Sequence, residues 1–436
     1  MLGAGGSILA AESASAAPVV STADGRFLSG TALGINLDNI LTVEPADATN
    51  TGGAAVTDVH PLNVTALNAV NVDIGSGLNL LGDNGILTLG AVNQYAAANP
   101  DGSSAAASGA VTNTGGIGVG GADGVSQSNA TLDLSGLIGA DLADSIADVQ
   151  LSTGALSATA TQAAGTNGTQ DGDYQIAGLT LNLTSPALAD TVAGLGTTLD
   201  GLQPTVNGVV DTLNGLGLGV VTVTGLPNLS DTLDSVTDVT SADGSITANL
   251  QTGAISVDVA AVLASQGLDL NNLPANTELL PYITRALTTQ LLPALTQALT
   301  GVASQITSSL QNVTATVAGI PIPAGTLLGV VTPVIDQVVA PINTAATGLG
   351  ETVVTPLATA LTTVLSVQAN RQETAGGIFT ERALRIGLLP TAATPAAIVN
   401  LASASVGPNA GPAAALPTIT GIDPITARQP VGPVSR

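Results

Sequence analysis

The sequence predicts an α+β protein, rich in β-strand, whose sandwich-like antiparallel units, read as duplicated, carry a long antiparallel helical hairpin as an insertion. Three observations predict it. Asp-Gly pairs begin at Asp24, Asp101, Asp123 and Asp171, and Asn-Gly pairs at Asn84 and Asn167; these supply the positive φ that tight hairpin turns require. Between them, apolar and polar residues alternate with the two-residue period of a half-buried strand. From Leu280 to Val364 the apolar residues recur instead with the period of a helix.

The elements follow in order. Residues 1–16 read as the remnant of a signal peptide, because Ala14-Ser-Ala16 has the small-x-small form of a cleavage site although the basic n-region is missing. A β-rich domain is expected over 17–225. Its strands include Thr65–Ile74, Gly85–Leu89 and Leu179–Thr184, with Tyr174 and Ile176 entering the last. A short helical insert is expected at about 186–218, where apolar residues stand at 188, 192, 195, 199, 202, 206, 209, 213 and 216. A second β-unit is expected over 226–408. Leu151-Ser-Thr-Gly-Ala-Leu-Ser157 and Leu250-Gln-Thr-Gly-Ala-Ile-Ser256 share a pattern and read as equivalent hairpins. Each is followed by an aromatic-led strand, Tyr174-Gln-Ile176 in one case and Phe379 to Ile386 in the other, so a duplicated β-unit is the economical explanation.

The second unit carries the helical hairpin, at about 278–368. Apolar residues fall at 280, 283, 287, 291, 295, 299, 302, 306, 310, 313 and 317, then at 331, 335, 338, 342, 346, 349, 353, 357, 361 and 364. Both series have a mean spacing of about 3.7, the helical period. A turn at Gly319–Gly325 separates them, giving two arms of roughly 60 Å each. Pro293, Pro341 and Pro356 are expected to kink or divide the arms. Two strands, Phe379–Leu389 and Ala397–Val406, close the unit, and the Pro-rich residues 409–436 read as a flexible tail.

Composition restricts the chemistry. The chain has no cysteine, no lysine, seven arginines and one histidine against 31 acids, a net charge of −24. Such a surface repels phosphate backbones, so no nucleic-acid partner is expected. Without lysine there is neither a Schiff base nor a P-loop lysine, and without cysteine no thiol nucleophile. Any histidine relay must pass through His60, which precedes a strand and reads as a turn residue. No run of about 18 uninterrupted apolar residues occurs, so no transmembrane segment is expected; Thr and Gln on the outer faces of the arms point to packing rather than membrane insertion.

Carboxylates are the chemistry that remains. Asp133, Asp141, Asp144, Asp148, Asp171 and Asp173 are candidates for a paired-acid glycoside hydrolase, yet the aromatic platforms that hold sugars are missing and most of these acids stand at turns. Calcium is the one cofactor the acids suggest, with Asp171, Asp173 and Asp269 as the candidate ligands, though neither segment matches an EF-hand loop.

Several motifs occur in a fixed order: Ala23-Asp-Gly-Arg-Phe-Leu-Ser-Gly30, Pro61-Leu-Asn-Val64, Gly85 to Tyr95, Asp101 to Val111 and Val399-Asn-Leu-Ala-Ser-Ala-Ser-Val-Gly407. Together they resemble the choice-of-anchor G family of actinobacterial surface proteins over nearly the whole chain. The resemblance implies secretion and display at the cell envelope and brings no catalytic residues. No recognisable anchor follows Val406, a departure from that pattern. The expected function is therefore a non-enzymatic, structural or adhesive role at the surface, with cell-wall or other surface components and further copies of the chain as partners. The alternative is a carbohydrate-active hydrolase using paired carboxylates.

Overall fold

A computed structural model describes residues 18–32, 35–39, 44–62, 79–81, 85–89, 92–117, 130–135, 142–217, 219–322, 324–388 and 396–410. The strands of the first part are β1 (Ser21–Ala32), β2 (Ile35–Asn36), β3 (Ala46–Asn50), β4 (Val56–Val59), β5 (Asn79–Leu81), β6 (Gly85–Leu89), β7 (Asn93–Ala98) and β8 (Ser104–Gly109). After them come β9 (Ala130–Asp133), β10 (Asp148–Thr153), β11 (Leu156–Gln162), β12 (Gln170–Ile176) and β13 (Leu179–Thr184). Helices α1 (Pro186–Asn207) and α2 (Val209–Asn214) lead to β14 (Val221–Thr224), α3 (Leu229–Asp234), β15 (Asp238–Thr240), β16 (Ile246–Asn249), β17 (Ala254–Asp258), α4 (Val259–Ser265) and β18 (Thr277–Glu278). The first arm is α5 (Leu280–Ala286), a π-helical turn (Leu287–Leu291) and α6 (Leu292–Gln311). The chain turns through β19 (Thr314–Val317) and β20 (Ile320–Pro321), then returns as α7 (Ala324–Leu349), a second π-helical turn (Gly350–Val354) and α8 (Thr355–Val364). Strands β21 (Leu365–Ala375), β22 (Ile378–Leu388) and β23 (Ala397–Val406) close the fold.

The α+β class is as the sequence predicts, and among the described residues the strands gather into four sheets. A seven-stranded sheet runs β18-β21-β22-β23-β1-β2, with β3 also on β1; a five-stranded sheet runs β12-β11-β8-β7-β4. These two pack face to face as a sandwich. They approach closely because the facing residues are small: a Cβ on Gly25 would lie 2.5 Å from the carbonyl oxygens of both Tyr95 and Ala107, and Ala96, Ala98 and Ala106 are buried around it. The third sheet has eight strands, β15-β16-β17-β13-β10-β9-β6-β5, and a small sheet β14-β19-β20 lies at the turn between the arms.

Sheets cross the boundary expected near 225. β1 pairs with β23 over Ala23–Ala32, and β13 pairs with β17. At the C-terminal side the Asn409 side chain is buried, bonds Ser104 Oγ at 2.8 Å and accepts from the Thr22 N–H. The first residues assigned to the tail therefore belong to the sandwich.

Two strand expectations are corrected. Leu250–Ser256 is the turn of a true hairpin, β16–β17. Leu151–Ser157 is not, since β10 lies in the eight-stranded sheet and β11 in the five-stranded one. Instead β10 and β11 together pair along their whole length with β13 and β12, forming one hairpin that bends between the sheets. The bend is bridged by hydrogen bonds from Gly154 N–H to Gly178 O and from Ala177 N–H to Ala155 O. Tyr174 and Ile176 accordingly belong to β12, before the bend, and not to the Leu179–Thr184 strand. The strand expected at 65–74 lies outside the described residues.

The helical periodicities were informative. Of the two series read from the arms, every position is buried except Val317 and Ile335, which are half-buried, and α6 packs against α7. In the shorter insert every position up to Leu213 is buried except Leu202, which is half-buried, while Leu216 is exposed. Pro293 and Pro356 each follow a π-helical turn, in which Leu292 N–H reaches back to Leu287 O and Thr355 N–H to Gly350 O. Widening the helix by one residue accommodates a ring that would collide with the carbonyl four residues back. Pro341 lies inside α7 without dividing it. By length and composition the Leu327–Val364 helix is apolar enough to cross a membrane, a property spread over a stretch that polar residues interrupt and that the sequence therefore does not show as one apolar run. Val331, Val338, Ile342 and Leu349 are the buried stripe of this helix within the hairpin.

Candidate functional site

Alternation in the eight-stranded sheet sorts its side chains by face. Leu132, Val149, Leu151, Leu181, Leu183, Ile246 and Val257 are buried, which turns their polar neighbours outward. Strand register then aligns those neighbours. Asp133 stands opposite Gln150, Gln150 opposite Asn182, Asn182 opposite Ser256, Ser256 opposite Thr247, and Thr247 opposite Thr240. One row of six polar side chains thus crosses six strands. A second row holds Asp148 opposite Thr184 and Asn249 opposite Asp238. Both rows line a concave groove of about 790 Å³.

The groove is partly wired. Asp133 Oδ1 accepts from the Ser135 N–H at 3.0 Å and from its hydroxyl at 2.6 Å, and Asp238 Oδ1 accepts from Asn249 Nδ2 at 2.8 Å. Asp133 keeps its second oxygen for a ligand, whereas Asp238 Oδ2 accepts from the Thr237 hydroxyl at 3.5 Å. Asp148 is exposed at the end of β10. Such a surface offers hydrogen bonds along an extended path rather than at a point, which suits a hydroxylated or amide-bearing polymer.

The calcium candidates lie elsewhere. Asp171 and Asp173 are exposed on β12, opposite Thr161 and Thr159. Asp269 is exposed in the loop after α4 and accepts from the Asn271 N–H at 2.9 Å. Asp173 and Asp269 do come near each other's neighbourhood, since both charges act on Tyr174. Among the described residues, no three His, Asp or Glu side chains gather into a group able to hold a metal ion. Of the other acids, Asp144 is exposed in a turn and Asp141 lies outside the described residues. Asp133 and Asp148 do share the groove; Asp238, their third neighbour, was not singled out from sequence.

His60 Nε2 lies 3.1 Å from Asp58 Oδ1 at the end of β4. Asp58 is also engaged by the Asp47 N–H at 3.0 Å, and among the described residues no hydroxyl is bonded to the imidazole. The pair ties β4 to β3 and lacks the nucleophile of a relay.

Sequence reasoning missed the buried ionisable centre of the sandwich. Glu381 on β22 is fully buried, and neither carboxyl oxygen makes a well-formed hydrogen bond, although the Gln372 amide and the Arg382 N–H lie near enough to favour its charged form. Burial pushes its carboxyl up to about 8, with the Asp173 charge adding to the rise. Gly172 leaves the room it occupies, because a Cβ there would meet Glu381 Oε2 at 2.6 Å. Next to it Tyr174 donates to Leu270 O at 2.7 Å and accepts from the Leu273 N–H at 3.0 Å, and burial pushes its phenol up to about 12. The available signal was parity: Phe379 and Glu381 share one face of a strand whose Phe must point inward.

A family model described as a domain of unknown function, DUF8394, matches residues 23–327 and 323–407. The chain belongs to that family. No curated protein and no solved structure matches it.

Proposed function

We propose that this member of the DUF8394 family is a non-enzymatic interaction protein of the bacterial cell envelope, exported and displayed at the surface in a structural or adhesive role. The observation that carries the reading is the groove, whose opposed amide, hydroxyl and carboxylate side chains spread over six strands. Many dispersed hydrogen bonds suit holding a long polar polymer better than transforming one bond within it. A sequence without lysine or cysteine and with one histidine supports the same reading, and the resemblance to choice-of-anchor G proteins supports the location. Cell-wall polymers, other surface components and further copies of the chain are the partners we assign.

Co-sedimentation with insoluble cell-wall material tests this. The wild-type chain is expected in the pellet, and a chain carrying Gln150→Ala and Asn182→Ala, which empties the middle of the row, is expected to remain in the supernatant. Equal sedimentation of the two, or native protein found only in the cytoplasmic fraction, overturns the proposal. A second reading, hydrolysis of an envelope glycan, is favoured by one observation, the joint placement of Asp133 and Asp148 in the groove. It predicts release of reducing ends by the purified protein, abolished in Asp148→Asn.

A further inference from the structure

The outward face of the seven-stranded sheet carries chemistry that the groove does not use. On adjacent strands Phe27, Ala402, Ala383 and Asn370 fall out of the ladder at the same level. Ala402 and Asn370 have φ of 53° and 51° there, a conformation that rotates the strand and shifts its alternation by one position. In all four strands the outward residues flanking this level are therefore three apart instead of two. One row holds Arg26, Ser403, Arg382 and Arg371, and the neighbouring row holds Ser29, Asn400, Arg385 and Gln368. Bonds across the strands fix the facing: Asn400 Nδ2 donates to Ser29 Oγ, and Thr380 and Ser405 share a hydrogen bond in the next row.

Four of the seven basic residues of a chain with net charge −24 thus occupy two adjoining rows. Arg371 and Arg382 stand directly opposite each other, an arrangement that costs stability between like charges. Compensation is partial. Arg382 Nη1 donates to Glu373 Oε2 at 3.1 Å, and Arg26 lies 3.6 Å from Asp24. Arg371 donates instead to the neutral Asn276 side chain at 2.6 Å, and among the described residues Arg385 has no acceptor. The Nε groups of Arg371 and Arg382, Asn400 Oδ1 and Ser403 Oγ are buried without partners beneath them. The charges of Arg371 and Arg382, after burial, make the Arg385 guanidinium easier to deprotonate. Glu373, already engaged by Arg382, is the one acid among the described residues whose charge acts on Arg385, so the cluster keeps an excess of positive charge.

We propose that this face is an anion-binding site, in which a carboxylate or phosphate group of a hydroxylated ligand sits between Arg371 and Arg385, with the polar groups of Gln368, Asn400 and Ser403 serving its hydroxyls. A planar guanidinium fork matches the oxygens of either group, and two forks from neighbouring rows converge on one such group. The site is separate from the groove, so its failure leaves the function proposed above standing, and the reverse also holds.

The test is thermal melting of the full chain with millimolar pyrophosphate or glucuronate, against sodium chloride at matched ionic strength. A ligand that binds only the native state raises the melting temperature. The wild type is expected to gain with at least one of the two anions, and the stronger responder identifies whether phosphate or carboxylate is the natural group. Arg385→Gln and Arg371→Gln are each expected to lose that gain and to weaken titrated binding by about tenfold or more. Arg385→Gln without anion is expected to melt at or above the wild type, because a repulsion is relieved. A wild type that responds to neither anion beyond chloride, variants that respond as the wild type does, or an Arg385→Gln chain that melts lower without anion, overturns the site.

Discussion

The helical arms and the seven-stranded sheet bury their residues by opposite means. From Ala286 to Ile335 the arms contain no Asp, Glu, Lys or Arg, and their buried stripe is aliphatic: Leu295, Leu299, Val302, Ile306 and Leu310 on α6, with Val331, Val338 and Ile342 on α7. The sheet encloses a carboxyl group without a well-formed hydrogen bond on its inward face and lays arginines across its outward one. This chain's sensitivity to solution conditions therefore resides in the sheet. Aliphatic burial responds little to protons or salt, whereas a buried acid and opposed cations respond to both.

The sharpest break of that comparison is at Glu381. Its folded value of about 8 lies above the 4.5 of an ordinary glutamate, so the native state holds the proton more tightly than the unfolded chain. The corresponding stability is fully present below the unfolded value and is lost as pH rises through about 8. The loss is on the order of 5 kcal/mol, since each pKa unit is worth about 1.4 kcal/mol. Denaturation midpoints taken in steps between about pH 5 and pH 9 should fall for the wild type and stay nearly flat for Glu381→Gln. A Glu381→Gln chain with the wild-type slope would move the pH sensitivity elsewhere.

Leu299→Ala in the first arm comes next, with an expected loss of about 3 kcal/mol from the cavity left behind. Unlike the change at Glu381, its cost should be the same at either end of that pH range. Tyr174→Phe should cost about 2 kcal/mol, because the buried Leu270 carbonyl and Leu273 N–H lose their shared partner. Hydrogen exchange should localise the effect to the loop after α4. The smallest effect is expected at the turn between the arms. There the exposed Thr224 and Thr314 hydroxyls bond each other at 2.7 Å, and Thr314→Val should change urea stability by no more than about 0.5 kcal/mol.

The same two regions differ in how much the sequence discloses. The arms were legible except at their turn, where the apolar series runs on past Gln311 and its last position, Val317, lies in β19, because a helix that packs along one side must repeat its apolar positions every three or four residues. Even Pro293 and Pro356 carried information, although the response was a π-helical turn rather than a kink. The sheets disclosed which residues form strands but not which strands meet. Leu151–Ser157 and Leu250–Ser256 share a pattern, yet one bends a hairpin between two sheets and the other closes a hairpin within one. Nothing local distinguishes them, because the choice depends on partners far away in sequence. The candidate site divides in the same way: Asp133 and Asp148 could be named from sequence, whereas their row with Gln150, Asn182 and Ser256 exists only through register.

By itself, then, the sequence determined the α+β class, the helical arms with their buried stripes, and the poverty of the chain in nucleophiles and bases, because period and composition are local properties. Only the tertiary structure decided that β1 lies beside β23, that Glu381 is shut inside the sandwich, and that Arg26, Arg371, Arg382 and Arg385 share one face. Those outcomes depend on pairing between strands hundreds of residues apart. They also depend on two left-handed residues, Asn370 and Ala402, whose backbone angles shift the alternation of whole strands without changing a letter of their pattern.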